Sequence, residues 1–178
     1  MMLNAEQIVE KGVLKLEHSK GKAAQIRYDL LVKEIKRFVT NDDNFVDSQY
    51  TFGSVLKDKT ILPSYIPVEK SEGWTKESQG WFLEPGYYEL TFWEGCKIPN
   101  NLVGLIRQRS SILRSGALIH SSVFDPGFET DYMGCFIAVF TSIFIEEDAR
   151  VAQMYFHECE PVTKGYDGQF QKDKQRVK

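Results

Sequence analysis

From residue 50 onward the chain is a succession of short runs rich in Tyr, Phe, Trp, Val and Ile, broken by Pro, Gly, Asn and Asp: ILPSYIPVE, GWFLEPGYYELTFWE, IPNNLVGLIRQRS, GALIHSSVFDPG, GCFIAVFTSIFIE and ARVAQMYFHE. Short strands at this spacing, with turn signals between them, point to an all-β sandwich or barrel. EPGYYELTFWE is the clearest case. Pro85 and Gly86 supply a turn, and Tyr88, Leu90 and Phe92 alternate with Glu89, Thr91 and Trp93 as the two faces of a strand.

The N-terminal third is less uniform. AEQIVEKGV carries apolar residues on one face of a short helix within residues 1–12, with Asn4 as its cap and Gly12 as its stop. AQIRYDLLVKEIKRFV fits a helix in part, whereas IRYDLLV alternates as a strand does, and we read its first half as strand. The tail within residues 162–178, KGYDGQFQKDKQRVK, is polar and offers little to bury, so it is expected to be mobile when alone.

A length of 178 residues favours a single domain over residues 1–178. A net charge of -3 argues against coating a nucleic acid polymer, which needs a broad basic face. Cys96, Cys135 and Cys159 show no CxxC spacing, so neither a disulfide framework nor a zinc site is expected, and the thiols suit a reducing cytoplasm. The N-terminus lacks a signal-peptide core and the chain lacks the roughly 20 apolar residues of a membrane span, so no membrane association and a cytoplasmic location are expected.

Within this frame RQRSSILRSG, residues 107–116, is unusual in placing three arginines and three serines beside the apolar run ALI. A strand, a one-turn helix starting at Ser110 or Ser111, and an exit at Gly116 would gather free backbone N–H groups, two hydroxyls and the guanidinium groups of Arg109 and Arg114. That is a phosphate cradle; the alternative is a capped surface helix with solvated arginines. In HSSVFDPGFETDYMG, Asp125 precedes Pro-Gly at a tight turn, with Glu129 and Asp131 behind it. A carboxylate fixed there could orient a water as general base or attract a metal-bound phosphate, or could simply accept backbone hydrogen bonds of the turn. His120 is at best an accessory. ARVAQMYF carries Arg150 and Gln153 among apolar neighbours and on its own reads as an ordinary strand.

Taken in order, GLIRQRSSILRSGALIHSSVFDPGFE, ARVAQMYF and GYDGQFQ resemble the dCTP deaminase and dUTPase superfamily, most of all its archaeal-type dUTPases. The resemblance extends over most of the chain: MLNAEQIVEKGVLKLE is similar to the family's N-terminal helix and strand, IRYDLLV to its SYDL segment, and FLEPGYYELTFWEGCKIPNNLVG to its PGEF and lP-x-nlvG segments. It implies a mainly β, distorted jelly-roll barrel of the β-clip type, assembled as a homotrimer with active sites between subunits.

The resemblance also implies residue roles. Arg109, Ser110, Ser111, Arg114 and Gln153 would bind the triphosphate. Asp125 would orient the attacking water, with Glu129 as the second choice for the base, since a gapless match to the standard dUTPase loop puts Glu129 in that place. Phe128 and Tyr132 would lie under the deoxyribose, and the hairpin backbone from His120 to Asp125 would read the uracil edge. Tyr166, Gln169 and Gln171 would belong to a tail closing over a neighbouring subunit's nucleotide, with Lys172 and Lys174 near the phosphates.

The family's deaminases place a catalytic glutamate five residues after the glycine that follows DPG-aromatic. With Gly134 in that place the matching residue is Val139, and CFIAVF holds no carboxylate. The expected reaction is therefore hydrolysis of dUTP to dUMP and pyrophosphate, with Mg2+ held mainly by the triphosphate and no metal-binding side chains. dCTP deamination, alone or combined with dUTP hydrolysis, and nucleotide binding without catalysis are the alternatives.

Overall fold

The computed structural model describes residues 1–17, 19, 21–38, 65–73, 78–147, 149–168 and 170–173. Its strands are β1 Leu14–Lys15, β2 Lys22–Ala24, β3 Arg27–Phe38, β4 Tyr65–Pro67, β5 Ser71–Glu72, β6 Gln79–Leu83, β7 Gly86–Phe92, β8 Gly95–Lys97, β9 Leu102–Gln108, β10 Ala117–His120, β11 Val123–Phe124, β12 Glu129–Thr130, β13 Gly134–Val139, β14 Ile143–Glu146 and β15 Arg150–Glu158. Two short helices, α1 Ala5–Glu10 and α2 Ser110–Arg114, accompany them. The mainly β expectation with a short N-terminal helix holds.

Nine strands form the main sheet, in the order β10-β13-β7-β3-β15-β9-β11, with β2 and β4 also pairing with β3. It curls as a half-barrel. The sheets β1-β8-β12 and β14-β6-β5 complete the fold. Pro85 lies between β6 and β7, which belong to different sheets, so this turn carries the chain from one sheet to the next.

Alternation along the strands builds the core. On β13, Cys135, Ile137 and Val139 are buried while Gly134, Phe136 and Ala138 are half-buried on the other face. Leu90, Phe92, Ile106, Met154 and Phe156 join them in one cluster. At α1, the Asn4 side chain accepts from the Gln7 N–H and the Gln7 side chain accepts from the Asn4 N–H, a reciprocal cap that starts the helix where the sequence places it. Ile8 then enters the core, and Gly12 follows the helix end.

The strand reading for AQIRYDLLVKEIKRFV was too short, because β3 continues to Phe38. A register shift between Val32 and Glu34 against β7 leaves Lys33 as the extra residue. Leu30, Val32 and Ile35 nevertheless all reach the core cluster. The three-residue step from Val32 to Ile35, which looks helical in sequence, is a β-bulge.

Candidate active site

β9 delivers the RSS segment. The Arg109 N–H donates to the Val151 carbonyl at 3.0 Å, tying the end of β9 to β15, and Arg109 then caps α2 in extended conformation. Ile112 is the residue of this turn that enters the core, which leaves Ser110, Ser111 and Arg114 exposed. The first N–H groups of a helix lack intrahelical partners, so this exposed turn presents donors beside the two hydroxyls. Gly116, at φ +78, takes the chain out into β10.

Behind the turn lies a carboxylate that sequence reasoning missed. Asp29 on β3 is 2% exposed, and it accepts from Arg109, from Arg150 at 3.4 Å and from Gln153 Nε2 at 3.3 Å. Gln153 is held from its other end by the Tyr155 hydroxyl, which donates to Gln153 Oε1 at 3.0 Å. Sheet register explains the convergence. Lys22, Asp29, Gln153 and Arg107 are successive cross-strand partners on β2, β3, β15 and β9, so their side chains share one face. The sequence signal was the Asp of IRYDLLV, indistinguishable there from a solvated strand residue.

The second group of candidates lines a cleft of about 620 Å³. His120, Asp125, Phe128, Tyr132 and Tyr166 all border it, as do Ser121, Ser122, Tyr87, Glu89 and Phe136. The Phe128 N–H donates to the Asp125 carbonyl at 3.1 Å and Gly127 sits at φ +84, which closes the tight turn over Asp125–Phe128. Asp125 is exposed, and among the described residues no hydrogen bond or ion pair engages its carboxylate. Phe128 packs edge-on against both Phe124 and Tyr166, with ring centroids 5.7 and 5.4 Å apart. Lys33, the bulge residue of β3, sets its ammonium 3.4 Å from the centre of the Tyr132 ring. His120 lies against Tyr87, its ring 6.3 Å away.

Glu129 takes a different position. It pairs with Lys15 at 2.9 Å, and hydrogen bonding from Lys15 holds its carboxyl below the usual carboxylate range. Val139, the position matching the deaminase glutamate, is 3% exposed in the core. Glu89 was not singled out from sequence as a site residue, yet β7 carries it opposite Phe136 and into the cleft.

Within one chain the RSS turn does not line this cleft, and the two groups are offset along β9. Phe124 pairs with Gly104 on β9, whereas Arg109 lies five residues further along. Because β11 runs antiparallel to β9, Asp125 stands one step beyond Phe124, so along the strand direction it is six residues, roughly 20 Å, from Arg109.

Over its described part the tail, expected to be mobile when alone, is hydrogen-bonded to the rest of the chain. The Val162 N–H donates to the Asn100 carbonyl at 2.9 Å and the Tyr166 N–H to the Pro126 carbonyl at 2.8 Å. The Gln171 carboxamide donates to the Gly127 carbonyl and accepts from the Glu129 N–H, both at 2.9 Å. Backbone groups of the 125–129 turn thus hold a polar segment that has little apolar surface to bury. Lys172 is exposed beside this turn; Gln169 and Lys174 lie outside the described residues. Cys96 and Cys135 are buried thiols, Cys159 is half-buried, and burial pushes the Cys135 thiol well up.

Comparison with known proteins follows the same lines. A family model described as dCTP deaminase-like matches residues 24–159. A deoxyuridine 5'-triphosphate nucleotidohydrolase of Methanocaldococcus jannaschii is 38% identical over 113 residues, spanning 62% of this chain and 68% of that protein. A probable deoxyuridine 5'-triphosphate nucleotidohydrolase of Methanococcoides burtonii is 33% identical over 109 residues, 58% of this chain and 64% of that protein. Another from Aeropyrum pernix is 31% identical over 173 residues, 96% and 98% of the two chains. Among solved structures, the 2'-deoxycytidine 5'-triphosphate deaminase of Agrobacterium tumefaciens superposes with a TM-score of 0.58 at 15% identity, over 89% of this chain and 48% of that one. At that identity the likeness is one of fold. Among the described residues no helix is long and apolar enough to cross a membrane.

Proposed function

The chain belongs to the dCTP deaminase-like family, and we propose that within it this protein hydrolyses dUTP to dUMP and pyrophosphate. The observation that carries the reading is a pair of positions: an unengaged carboxylate, Asp125, borders the cleft, while Val139 is core where a deaminase would need its glutamate. The archaeal relatives named deoxyuridine 5'-triphosphate nucleotidohydrolases support it.

In the proposed mechanism Asp125 orients a water for attack at the α-phosphorus and takes its proton. The bond to the α-phosphorus forms as the bond to the bridging oxygen breaks, and pyrophosphate leaves. Phosphoryl transfer asks the protein mainly for position and charge. Arg109, Arg114, Ser110, Ser111 and Gln153 hold the phosphates, and the carboxylate of Asp29 aims Arg109 and Gln153. Phe128 and Tyr132 lie under the sugar, the His120–Asp125 backbone meets the base, and Tyr166 borders the cleft from the tail.

Mg2+ suits these residues as a companion of the nucleotide, since it binds through one or two carboxylates plus phosphate oxygens and Asp125 offers an exposed carboxylate. When bound it supplies charge neutralisation on the phosphates. The separation of roughly 20 Å along β9 between Asp125 and Arg109 supports sites shared between copies of the chain, as in a homotrimer.

Glu89 favours one second reading, deamination of dCTP by a carboxylate reaching the cleft from β7 instead of β13. The deciding experiment incubates the protein and Mg2+ with dUTP, dCTP, dTTP and UTP separately and identifies products by chromatography. dUMP and pyrophosphate from dUTP alone uphold the proposal. Uracil nucleotides formed from dCTP, and lost in Glu89→Gln, would replace it.

A further inference from the structure

We infer that Lys33 is a positioning residue for Tyr132: from behind, it fixes the ring that meets the sugar and so sets the preference for deoxyribose over ribose. This deepens the proposed function and rests on it.

The main chain first brings the partners together. The Trp93 N–H donates to the Leu31 carbonyl at 3.1 Å, the Phe92 N–H to the Met133 carbonyl at 2.9 Å and the Met133 N–H to the Glu94 carbonyl at 2.8 Å. β3 near its bulge, the end of β7 and the residues before β13 therefore run side by side. The Thr130 hydroxyl donates to the Tyr132 carbonyl at 2.9 Å, and Lys15 holds Glu129 at 2.9 Å and Asp131 at 2.7 Å. Met133, next in the chain, is fully buried, which directs Tyr132 away from the core. These contacts fix the main chain at Tyr132, but none of them fixes its ring.

A cation holds the ring. Lys33 is the extra residue of the β3 bulge, so it has no cross-strand partner on β7. Its ammonium stands 3.4 Å from the centre of the Tyr132 ring and 5.5 Å from that of Trp93. Both rings lie within the reach of a cation–π contact, and among the described residues no carboxylate pairs with Lys33. Lys33, Trp93 and Tyr132 are all half-buried, and partial loss of water strengthens such a contact. Tyr132 borders the cleft, whereas Lys33 does not. The ammonium thus backs the ring on the side away from the cleft and leaves the opposite face to a ligand.

Selectivity follows from that backing. A half-buried tyrosine has more than one staggered χ1 state, and a ring free to change state would make room for the extra hydroxyl of a ribose. A ring held on its far face must break the contact with Lys33 before it can yield. The barrier against ribose is then a repulsive element built from two residues, one touching the sugar and one behind it.

The test is titration calorimetry on the full chain with Mg2+, comparing α,β-imido-dUTP with α,β-imido-UTP. Lys33→Met, which keeps the length of the side chain and removes its charge, should lower the preference for the deoxynucleotide roughly 3- to 30-fold, the span that one cation–π contact supplies. Lys33→Arg, which keeps a cation over the rings, should retain most of it. Tyr132→Leu should also lose the preference, and adding Lys33→Met to it should change nothing further, because Lys33 acts through that ring. An unchanged preference in Lys33→Met, an Arg variant as impaired as the Met variant, or additive losses in the double variant would each overturn the inference. Unmodified protein that binds neither nucleotide would overturn the proposed function itself, and this inference with it.

Discussion

Lys15 on β1 holds Glu129 at 2.9 Å, a contact between residues far apart in sequence that separates the two acids of the DPGFE segment. Glu129 is engaged at the side of the 125–129 turn; Asp125, four residues earlier, faces the cleft unengaged. Asp125→Asn should therefore bind imido-dUTP normally and lower kcat by roughly 10²- to 10⁴-fold. Glu129→Gln should keep kcat within a few-fold. Steady-state pyrophosphate release decides, and the reverse pattern would move the base to Glu129.

Sharing of sites between copies has a direct readout. Asp125→Asn and Arg109→Ala should each be inactive alone, but mixing them under conditions that exchange subunits creates sites with an intact Asp125 from one copy and an intact Arg109 from another. Random mixing should restore roughly a quarter of the sites. No recovery after verified exchange would place the whole site in one chain.

Two carboxyls give opposite contributions to stability as pH changes. Hydrogen bonding from Lys15 depresses Glu129, so its contribution is present above the ordinary carboxylate value and is lost as pH falls through the lowered one. Burial raises Glu94, which is fully buried and accepts from Ser19 and from the Leu31 N–H at 3.2 Å. Its protonated form suits the fold, so stability is complete below the ordinary value and declines as pH rises through the raised one. Urea titrations of Glu94→Gln should be flatter than those of the unmodified protein above about pH 4. An unchanged slope would refute this.

Gly127 joins the turn to the tail. A Cβ there would stand 2.6 Å from the Gly165 Cα and 2.8 Å from the Tyr166 nitrogen, and the positive φ opposes any side chain. Gly127→Ala should cost on the order of 1 to 3 kcal/mol and raise KM by displacing Tyr166 from the cleft. Chemical denaturation and substrate titration measure the two effects separately.

The main core is read by Leu90, which is fully buried on β7 between β3 and β13. Leu90→Ala should lower stability by about 2 to 5 kcal/mol, with the midpoint of urea unfolding as the measure.

Much of the architecture is legible in local patterns. The Asn4 cap, the alternation of β7 and β13, the single turn of α2 and the Asp125–Phe128 turn depend on residues within a few positions of one another, so propensity, periodicity and turn chemistry suffice to locate them. Bulges obey a different logic. Those at Lys33 and Val151 insert one residue against a partner strand, so they exist only once pairing is known; one hid half of β3 and the other hid the orientation of Arg150.

By itself the sequence determined the β class, the RSS turn and the turn that exposes Asp125, together with the order of motifs that marks the family. Tertiary structure alone decided which carboxylate is free. Glu129 and Asp125 are equivalent as acids within a short loop until Lys15 arrives from β1. It also decided that Asp29 aims Arg109, Arg150 and Gln153, and that Glu89 enters the cleft. The physical reason is the same in each case: ion pairs and cross-strand contacts depend on distance in space, and sheet register brings together residues that no local pattern relates.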